Sequence, residues 1–373
     1  MILEKKFKIR ESVDIYKIGK DILYFYFINK RIGKNIEVTE EIVKLMEGFT
    51  GNHTLEEILK ENNFIFDEDL NSYIEFLLEE GILYEKEEEK KNQEILSLVE
   101  IERYERQITF FQEYFNKNPY ICQKKLKDEH ILIFGCGAIG SGLAIELAMM
   151  GVKNFIFVDK GKIKESSRER HFYFSEEGIG KYKVEELEKY LKELNEEVKI
   201  KGFKDTINYD TSLDKYFSLE PTLVINTLDE PYIGITSLKI GREAYGRKIP
   251  MFVGGGFDGH LMSTGELIIP DITPCVDCYT NHFTEILKDW QPKYNIEGID
   301  EDNEKRSIFE VGGLSSMGLF SISYGLIIIL RYILGEEVLN SGRGELLLDK
   351  LEVNTIKIEK NKNCKICGEK NEI

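Results

Sequence analysis

Hydrophobic and polar residues follow mixed strand and helix patterns over the first 90 residues. Asp21–Phe27 (DILYFYF) is rich in aromatic and β-branched residues and predicts a strand. Thr39, Thr54 and Asp67 each precede apolar residues at helical spacing, which predicts three short helices. This order of elements predicts a small winged-helix-like α+β domain over residues 1–90.

From residue 91 to 373 the pattern changes to apolar strands separated by longer helices. Strands of the buried type are predicted at His130–Phe134, Asn154–Val158 and Pro221–Asn226, and an apolar helix at Ser141–Met150. A strand, a helix and a second strand within about 30 residues form a βαβ unit, whose strands are parallel. We therefore expect an α/β domain here, Rossmann-like, with a mainly parallel sheet.

The most apolar run, Met317–Leu330, is 14 residues long and ends at Arg331. A helix that spans a bilayer needs about 20 apolar residues, so a buried helix is favoured over a membrane span. The N-terminal residues contain no apolar stretch of the length that a signal peptide has. We expect a cytoplasmic chain without a membrane segment.

Composition narrows the range of functions. Hydrophobic residues make up 42% of the 373-residue chain and charged residues 31%, which excludes intrinsic disorder as its main state. The net charge of −17 argues against binding to nucleic-acid backbones, which takes a basic face. Residues 160–183 depart from this balance, because seven Lys or Arg and four Glu give them a local net charge of +3.

A glycine-rich turn joins the first strand and the helix of the βαβ unit. Gly135, Gly137 and Gly140 lie in this turn, and Asp159 ends the next strand, 24 residues after Gly135. Glycines let the backbone approach a phosphate, the helix N-terminus offers N–H groups, and the acid accepts hydrogen bonds from ribose hydroxyls. The arrangement predicts a nucleotide site. The alternative is a glycine turn that only allows close packing.

The basic stretch after Asp159 bears on the kind of nucleotide. Arg168, Arg170, Lys181 and Lys183 bracket an aromatic run. Cationic side chains stabilise a triphosphate and the pyrophosphate that leaves it, whereas a nicotinamide cofactor carries less charge. The stretch therefore argues against a dehydrogenase. The alternative is a solvated charged loop.

A second carboxylate follows another predicted strand. Asp229 lies three residues after Pro221–Asn226. A carboxylate at the carboxyl end of a strand, facing the same crevice as the nucleotide, is suited to hold Mg²⁺ on phosphate oxygens. The alternative is a cap of a helix or turn.

Four of the six cysteines form two C-x-x-C pairs. These are Cys275 with Cys278 and Cys364 with Cys367, and 86 positions separate Cys278 from Cys364. Four thiolates complete a tetrahedral structural Zn²⁺ site, which would tie the C-terminal segment to a distant loop. A disulfide pair or a redox motif is the alternative.

Five separated motifs together resemble the ThiF/MoeB superfamily, which has the fold of ubiquitin-activating enzymes. They are the glycine turn, Asp159, the Arg–Lys cluster, Asp229 and the two C-x-x-C pairs, and Arg103–Gln107 (RYERQ) resembles the family's opening motif. The resemblance covers roughly residues 100–373. Within the superfamily the chain is most similar to the microcin-C-type peptide-adenylating enzymes, and FSEEGIGKYK (residues 174–183) is especially close.

The resemblance implies an ATP-dependent adenylyltransferase that activates the C-terminal carboxylate of a ribosomally made peptide, in antibiotic or other modified-peptide biosynthesis. It implies a homodimer that binds Mg·ATP, forms an acyl-adenylate and releases pyrophosphate. The implied roles are ribose binding by Asp159, phosphate binding by Arg170 and Lys183, Mg²⁺ binding by Asp229, and contact of Arg106 with the phosphates in the partner subunit's site.

The chain reads Ser167-Arg168-Glu169-Arg170-His171 where the family usually has Asn-Leu-x-Arg-Gln. Ser167 stands where the family usually has the Asn, and His171 stands where it has the Gln. A serine still donates or accepts a hydrogen bond, so we keep Ser167 as a predicted nucleotide contact. Because its side chain is shorter than that of Asn, the geometry of the bound nucleotide and the choice of nucleobase stay open.

Two later segments bear on the substrate. The stretch from Tyr279 to Gly312 contains no cysteine, so ubiquitin-type transfer through an enzyme thioester is not expected. This acidic stretch, which includes Trp290, is expected to cross over the active site. Phe252–Phe257 (FVGGGF) either leaves room for a substrate tail or is a strand end with glycine turns.

The N-terminal domain resembles the peptide-recognition element of ribosomally made peptide pathways in the order of its helices and turns. Such elements hold a leader or precursor peptide against an exposed strand edge. The alternative is an extension that packs on the main domain. Two further functions stay open for the chain: a non-catalytic scaffold that binds a leader peptide, and an activator of a ubiquitin-like sulfur-carrier protein.

Overall fold

The computed structural model describes residues 2–86, 89–115, 117–230, 232–255, 262–287, 314–337 and 342–368. Contacts divide the chain into two compact units, Met1–Lys124 and Lys125–Ile373. Trp290, with most of the segment expected to cross the active site, lies outside the described residues, as do Gly256 and Phe257.

The first unit contains two three-stranded antiparallel sheets. In one, β1 lies between β5 and β6, and in the other β2, β3 and β4 form a meander. The strands are β1 (Lys6–Ile9), β2 (Val13–Ile18), β3 (Ile22–Phe27), β4 (Ile32–Glu37), β5 (Thr50–Thr54) and β6 (Leu83–Glu85). The helices that begin in this unit are α1 (Glu40–Gly48), α2 (Leu55–Glu61), α3 (Glu68–Glu79), α4 (Glu89–Ile95), α5 (Leu98–Arg103), α6 (Glu105–Tyr114) and α7 (Pro119–Asp128).

The predicted strand and the three predicted helices of this unit are confirmed. In β3, Leu23, Phe25 and Phe27 are buried at every second position, as a half-buried strand requires. The side chain of Thr54 caps α2 in a full capping box with Glu57. The apolar residues Ile82-Leu83-Tyr84 after α3 also predict a closing strand, which is observed as β6. Strands β1, β2, β4 and β5 were not predicted, because strands such as β4 (IGKNIE) carry too few buried apolar residues to give a strand pattern.

Hydrogen bonds join the start of the chain to a helix beyond residue 100. The Ser12 backbone N–H donates to Glu113 Oε2 at 2.9 Å, and the Ser12 hydroxyl donates to the Glu113 carbonyl oxygen at 3.2 Å. These contacts hold α6 in the first unit. The division at residue 90 remains a prediction.

The second unit is built on a six-stranded sheet in the order β12-β11-β10-β7-β8-β9. Five strands are parallel, and only β12, at one edge, is antiparallel to its neighbour. The predicted α/β fold with a mainly parallel sheet is thus confirmed. The strands are β7 (His130–Phe134), β8 (Asn154–Val158), β9 (Lys199–Phe203), β10 (Leu223–Asn226), β11 (Met251–Val253) and β12 (Glu266–Ile268), and β13 (Gly342–Leu347) and β14 (Glu352–Lys357) form a separate hairpin.

The strand order places a crevice at the carboxyl end of β7. Chain connections run from β7 to β8 on one side and later to β10 on the other, so β7 is the topological switch point of the sheet, where ligands of open α/β sheets bind. Residues Ile131–Phe134 of β7 are fully buried. The helices of this unit are α8 (Ala138–Met149), α9 (Lys183–Leu194), α10 (Asp214–Phe217), α11 (Ile233–Gly246), α12 (Val276–Leu287) and α13 (Ser315–Ile333).

The helix α13 contains the most apolar run of the sequence. Its 19 residues are long and apolar enough for a membrane span, and 33% of its most apolar stretch is buried. One face packs on α8, where Ile322 lies so close to Gly142 that an added Cβ would come within 2.2 Å of its Cδ1 atom. Tyr324 and Ile327 are exposed. A core helix passes the same composition test, so this one helix is weak evidence for a membrane, and the cytoplasmic location remains a prediction.

Candidate nucleotide site and zinc centre

The glycine turn is locked to the neighbouring strand end. Gly135 has φ of +95°, and a Cβ added there would lie 2.6 Å from Thr227 Oγ1. The Thr227 hydroxyl donates to the carbonyl oxygens of Phe134 and Gly135, at 3.1 and 3.0 Å. A Cβ on Gly140 would lie 2.0 Å from the Gly135 carbonyl oxygen. Gly135 and Gly140 are therefore required by the backbone conformation and the close packing of the turn itself.

Gly137 differs from the other two glycines. It precedes the first residue of α8, with ordinary extended backbone angles, and a Cβ built there would meet no atom within 4 Å. Among the residues that the structure describes, no side chain caps this helix end. The free N–H groups and the positive end of the helix dipole therefore face open space, which is the environment that a phosphate needs.

Asp159 is held rigidly beside this turn. Its Oδ2 atom accepts from the Cys136 backbone N–H at 2.7 Å, and its Oδ1 atom accepts from the Gly161 backbone N–H at 2.5 Å. The side chain is 7% exposed. Each carboxylate oxygen keeps a further lone pair, so the group is oriented and still able to accept from ribose hydroxyls.

Lys183 converges on the same point from α9. Its backbone N–H donates to the Gly161 carbonyl oxygen at 2.9 Å. A Cβ added to Gly161 would lie 3.2 Å from Lys183 Nζ and 2.8 Å from Asp159 Oδ1, so the ammonium and the carboxylate both crowd over this glycine. The predicted ribose and phosphate residues are thus close together.

The turn that contains Ser167 and Arg170 is closed by backbone hydrogen bonds. The Ser167 carbonyl oxygen accepts from the N–H groups of Arg170 and His171, and Ser167 Oγ accepts from the Lys164 N–H at 3.1 Å. Ser167 is buried and Arg170 is exposed. The Ser167 side chain therefore stabilises the turn. The exposed Arg170 makes only a long ion pair of 4.0 Å with its neighbour Glu169, which a ligand phosphate would replace at little cost.

His171 and Tyr173 form an aromatic wall of the site. Their rings stack with centroids 5.3 Å apart, and the Tyr173 hydroxyl donates to the Cys136 carbonyl oxygen at 2.7 Å. Burial, helped by the positive charges of Lys183 and Arg170, lowers the pKa of His171 to about 4. His171 is therefore neutral at physiological pH. Cys136 is fully buried, which raises the pKa of its thiol and makes it unreactive.

Asp229 lies beyond the end of β10, on the other side of β7 from Asp159. The buried Asn226 side chain sets the course of this loop, because its amide donates to Thr236 and Ser237 hydroxyls and its Oδ1 atom accepts from the Leu228 N–H. An ion pair of 3.4 Å between Lys160 and Glu230 links the chain after β8 to the chain after β10. Asp229 itself is exposed at this edge.

Arg106 is the one predicted phosphate-binding residue that lies in the first unit. It is exposed on α6. Its contact with the partner subunit's nucleotide remains a prediction.

The four predicted zinc ligands come together. The Sγ atoms of the two C-x-x-C pairs all lie within 4.8 Å of one another, and Cys275–Cys364 and Cys278–Cys367 are 3.5 and 3.4 Å apart. Tetrahedral Zn²⁺ with bonds of about 2.3 Å places its sulfur atoms about 3.8 Å apart, so the donor set fits the ion.

The surroundings of the Cys278 sulfur fit a metal-bound thiolate. The Asn361 N–H points at Cys278 Sγ at 3.4 Å, as an outer-shell donor to a thiolate does. Burial raises the pKa of Cys278 to about 11, so a cation is needed to hold the cluster as thiolates near neutral pH. Zn²⁺ would be held by these four residues and would play a structural part, because four protein ligands leave no open position.

Comparison with known proteins assigns the family. The profile of the ThiF family matches residues 104–366, more than half of the chain. The chain belongs to the ThiF family. Protein HesA, vegetative, of Trichormus variabilis is 27% identical over 190 residues, which cover 49% of this chain and 64% of HesA. The sulfur carrier protein ThiS adenylyltransferase of Bacillus subtilis is 25% identical over 160 residues, which cover 42% of this chain and 45% of that protein. This ThiF-family chain thus spans less than two thirds of the length of either relative.

Solved structures resemble the whole ThiF-family chain. E. coli MccB has a TM-score of 0.73 at 20% identity, covering 98% of this chain and 97% of MccB. E. coli MccB has also been solved with ATP and with the peptide MccA, each at a TM-score of 0.69. PaaA has a TM-score of 0.64, also at 20% identity, covering 94% of this chain and 100% of PaaA. These likenesses show the fold of both units.

Several residues that shape the site escaped the sequence prediction. They lock loops rather than carry charge, so no motif marked them. A hydroxyl directly after a buried strand is the one signal available for Thr227, and the place of Tyr173 inside the basic stretch is the one for its ring. The residues are Thr227, Tyr173, Gly161 and Asn226.

Proposed function

We propose that this chain is an ATP-dependent adenylyltransferase that activates the C-terminal carboxylate of a ribosomally made peptide. The observation that carries the proposal is the convergence of the Asp159 carboxylate and the Lys183 ammonium over Gly161, beside a glycine turn whose Gly137 faces open space. This combination offers one acceptor for ribose and several donors for phosphate.

The chemistry asks the protein for positioning and charge. A carboxylate oxygen of the peptide attacks the α-phosphorus of ATP, the bond from that phosphorus to the bridging oxygen breaks, and pyrophosphate leaves. We assign ribose binding to Asp159 and charge neutralisation on the phosphates to Arg170 and Lys183. Asp229 would hold Mg²⁺ on the phosphates, and Arg106 would reach the site of the partner in a homodimer.

The N-terminal unit supports a peptide substrate. In its meander sheet, β4 pairs along one side with β3 and, among the described residues, has no strand on its other side. Such an edge offers backbone N–H and C=O groups to an added strand. The E. coli MccB structures with MccA support the idea that a protein of this fold takes a peptide partner. We assign leader or precursor binding to this edge.

Activation of a ubiquitin-like sulfur carrier is the second candidate. The likeness to the ThiS adenylyltransferase of Bacillus subtilis favours it. The same nucleotide site would serve, since both substrates present a C-terminal carboxylate. A leader-binding scaffold without catalysis is the third reading, and the intact Asp159–Lys183 arrangement argues against it.

The test is exchange of labelled pyrophosphate into ATP. The purified full-length chain should catalyse exchange only when a cognate peptide with a free C-terminal carboxylate is added. The same peptide with a C-terminal amide is the matched control and should give none. If a sulfur carrier with a free C-terminal carboxylate supports exchange and no tested peptide does, the second candidate is favoured. Failure to bind ATP at millimolar concentration would favour the scaffold.

A further inference from the structure

The side chain of His171 is held in one place by the glycine turn. It is 6% exposed, and its ring stacks on Tyr173 with the planes inclined by 11°. Tyr173 is anchored in turn by its hydrogen bond to the Cys136 carbonyl oxygen. The His171 backbone N–H donates to the Ser167 carbonyl oxygen at 2.9 Å. Both the ring and its backbone are therefore fixed beside the predicted phosphate site.

The surroundings of the ring decide where its proton lies. Nδ1, not Nε2, is the ring nitrogen that is buried without a hydrogen-bond partner among the described residues. The ring is neutral because burial and the charges of Lys183 and Arg170 disfavour the imidazolium. A neutral imidazole has one N–H, and a buried N–H without an acceptor is tolerated less often than a buried lone pair. Nδ1 therefore keeps its lone pair, and the proton is on Nε2.

We infer that His171 donates a hydrogen bond from Nε2–H to a phosphate oxygen of the bound nucleotide. The inference rests on the proposed function, since it needs ATP in this site. The positive charges of Lys183 and Arg170 lie close enough to the His171 ring to affect its protonation, and the same charges attract phosphate to this place. A neutral donor adds a contact to the phosphate without adding repulsion against these two cations. His171 would thus define how the triphosphate sits in a chain that lacks the family's glutamine.

Two substitutions separate the two ring nitrogens. The side-chain nitrogen of Gln reaches about as far as imidazole Nε2, whereas that of Asn reaches only as far as Nδ1. Isothermal titration of Mg·ATP into the full chain should show that His171→Gln keeps affinity within about threefold. His171→Asn and His171→Ala should each weaken binding about tenfold, the value of one hydrogen bond to a charged acceptor. Equal affinity in the Gln and Asn variants would overturn the inference.

Nitrogen-15 NMR of the histidine-labelled wild-type chain tests the tautomer, and His171→Gln is needed only to assign the signal. His171 is one of five histidines, and its signal is the one missing from His171→Gln. The Nε2–H tautomer is expected at pH 7, with a downfield shift of that proton when Mg·ATP is added. An Nδ1–H tautomer, an imidazolium, or no response to bound ATP would refute the proposed contact.

The outcomes also separate this inference from the proposed function. If wild type binds ATP and the Gln and Asn variants differ as expected, but no peptide or carrier supports pyrophosphate exchange, the contact stands and adenylation fails. If wild type catalyses exchange and all three variants bind ATP equally, adenylation stands and the contact fails.

Discussion

At the scale of single residues, two neighbouring carboxylates beyond β10 have different surroundings. Glu230 pairs with Lys160 at 3.4 Å, whereas Asp229 is exposed at the crevice, with no ion pair of its own among the described residues. Of these two carboxylates, we therefore expect Asp229 to be the one that binds a cation. The pair Glu230–Lys160 is exposed, and such pairs contribute less than about 1 kcal/mol.

We expect Asp229→Ala to leave the fold intact and to lower peptide-dependent pyrophosphate exchange by at least about a hundredfold, because Mg²⁺ and its charge are lost from the phosphates. Glu230→Ala is the matched control and should stay within about threefold of wild type. Both are measured at the same Mg²⁺ concentration. Retained exchange in the Asp229 variant would refute the assigned role.

The glycines of the turn make a second pair of matched substitutions. Gly140→Ala should lower the free energy of unfolding by more than about 2 kcal/mol, because the new Cβ would overlap the Gly135 carbonyl oxygen at 2.0 Å. Gly137→Ala should unfold like wild type and weaken ATP binding, because its Cβ would enter the open space at the helix end. Denaturant unfolding and ATP titration measure the two effects. Unchanged ATP binding by Gly137→Ala would contradict the role of that space.

His171 also makes stability depend on pH. The ordinary pKa of 6.5 falls to about 4 in the folded chain, so below pH 6.5 the unfolded state takes up a proton that the folded state refuses. Above pH 6.5 His171 is neutral in both states and the free energy of unfolding is at its full value. As the pH falls from 6.5 towards 4, protonation of His171 in the unfolded state lowers that free energy. Between pH 6.5 and about 5 the loss is roughly 2 kcal/mol.

Urea unfolding at several pH values tests this. His171→Gln should lose about 2 kcal/mol less stability than wild type on acidification to about pH 5. His53→Gln changes an exposed histidine and should follow wild type. Identical pH profiles for wild type and His171→Gln would show that His171 titrates normally.

At the scale of elements, the cysteine cluster joins the start of α12 to the chain that follows the hairpin β13–β14. Cys275 and Cys278 lie at the start of α12, and Cys364 and Cys367 follow the hairpin β13–β14. Because the two pairs are far apart in sequence, a metal bound here closes a long loop, which restricts the unfolded chain.

Removing one ligand should therefore remove both the metal and stability. Cys364→Ser is expected to lose zinc, measured as metal per chain by mass spectrometry, and to lower the midpoint of thermal unfolding. Cys122→Ala removes a buried thiol outside the cluster, and should keep one zinc per chain. Full zinc content in the Cys364 variant would show that three cysteines suffice or that the metal lies elsewhere.

At the scale of the whole molecule, one face of α13 is apolar and exposed. Leu319, Tyr324 and Ile327 are 41%, 41% and 57% exposed, while Ile322 and Ile329 face the core. A second copy of the chain would cover such a face, in keeping with the expected homodimer.

Ile327→Glu should convert the expected dimer to a monomer in light scattering, because a charge would be buried in the contact. Lys189→Glu, on the exposed side of α9, changes charge elsewhere and should keep the mass of wild type. A dimer that survives Ile327→Glu would place the contact on another surface.

Prediction from sequence succeeded where the signal is local. The strand, glycine turn and helix from His130 to Met149 follow from residues close in sequence, and so does each C-x-x-C pair. Strands such as β4 and β5 were missed, because they gain their stability from pairing with distant strands rather than from their own apolar residues.

The sequence alone determined the fold class, the nucleotide turn and the four cysteines, because each depends on residue types at fixed short spacings. Only the tertiary structure decided that Gly137 is the glycine that faces open space, and that His171 is neutral with its Nδ1 atom buried. It also brought the Lys183 ammonium and the Asp159 carboxylate together beside Gly161. These properties depend on which atoms of other segments lie within a few ångströms, and that is set by packing rather than by spacing along the chain.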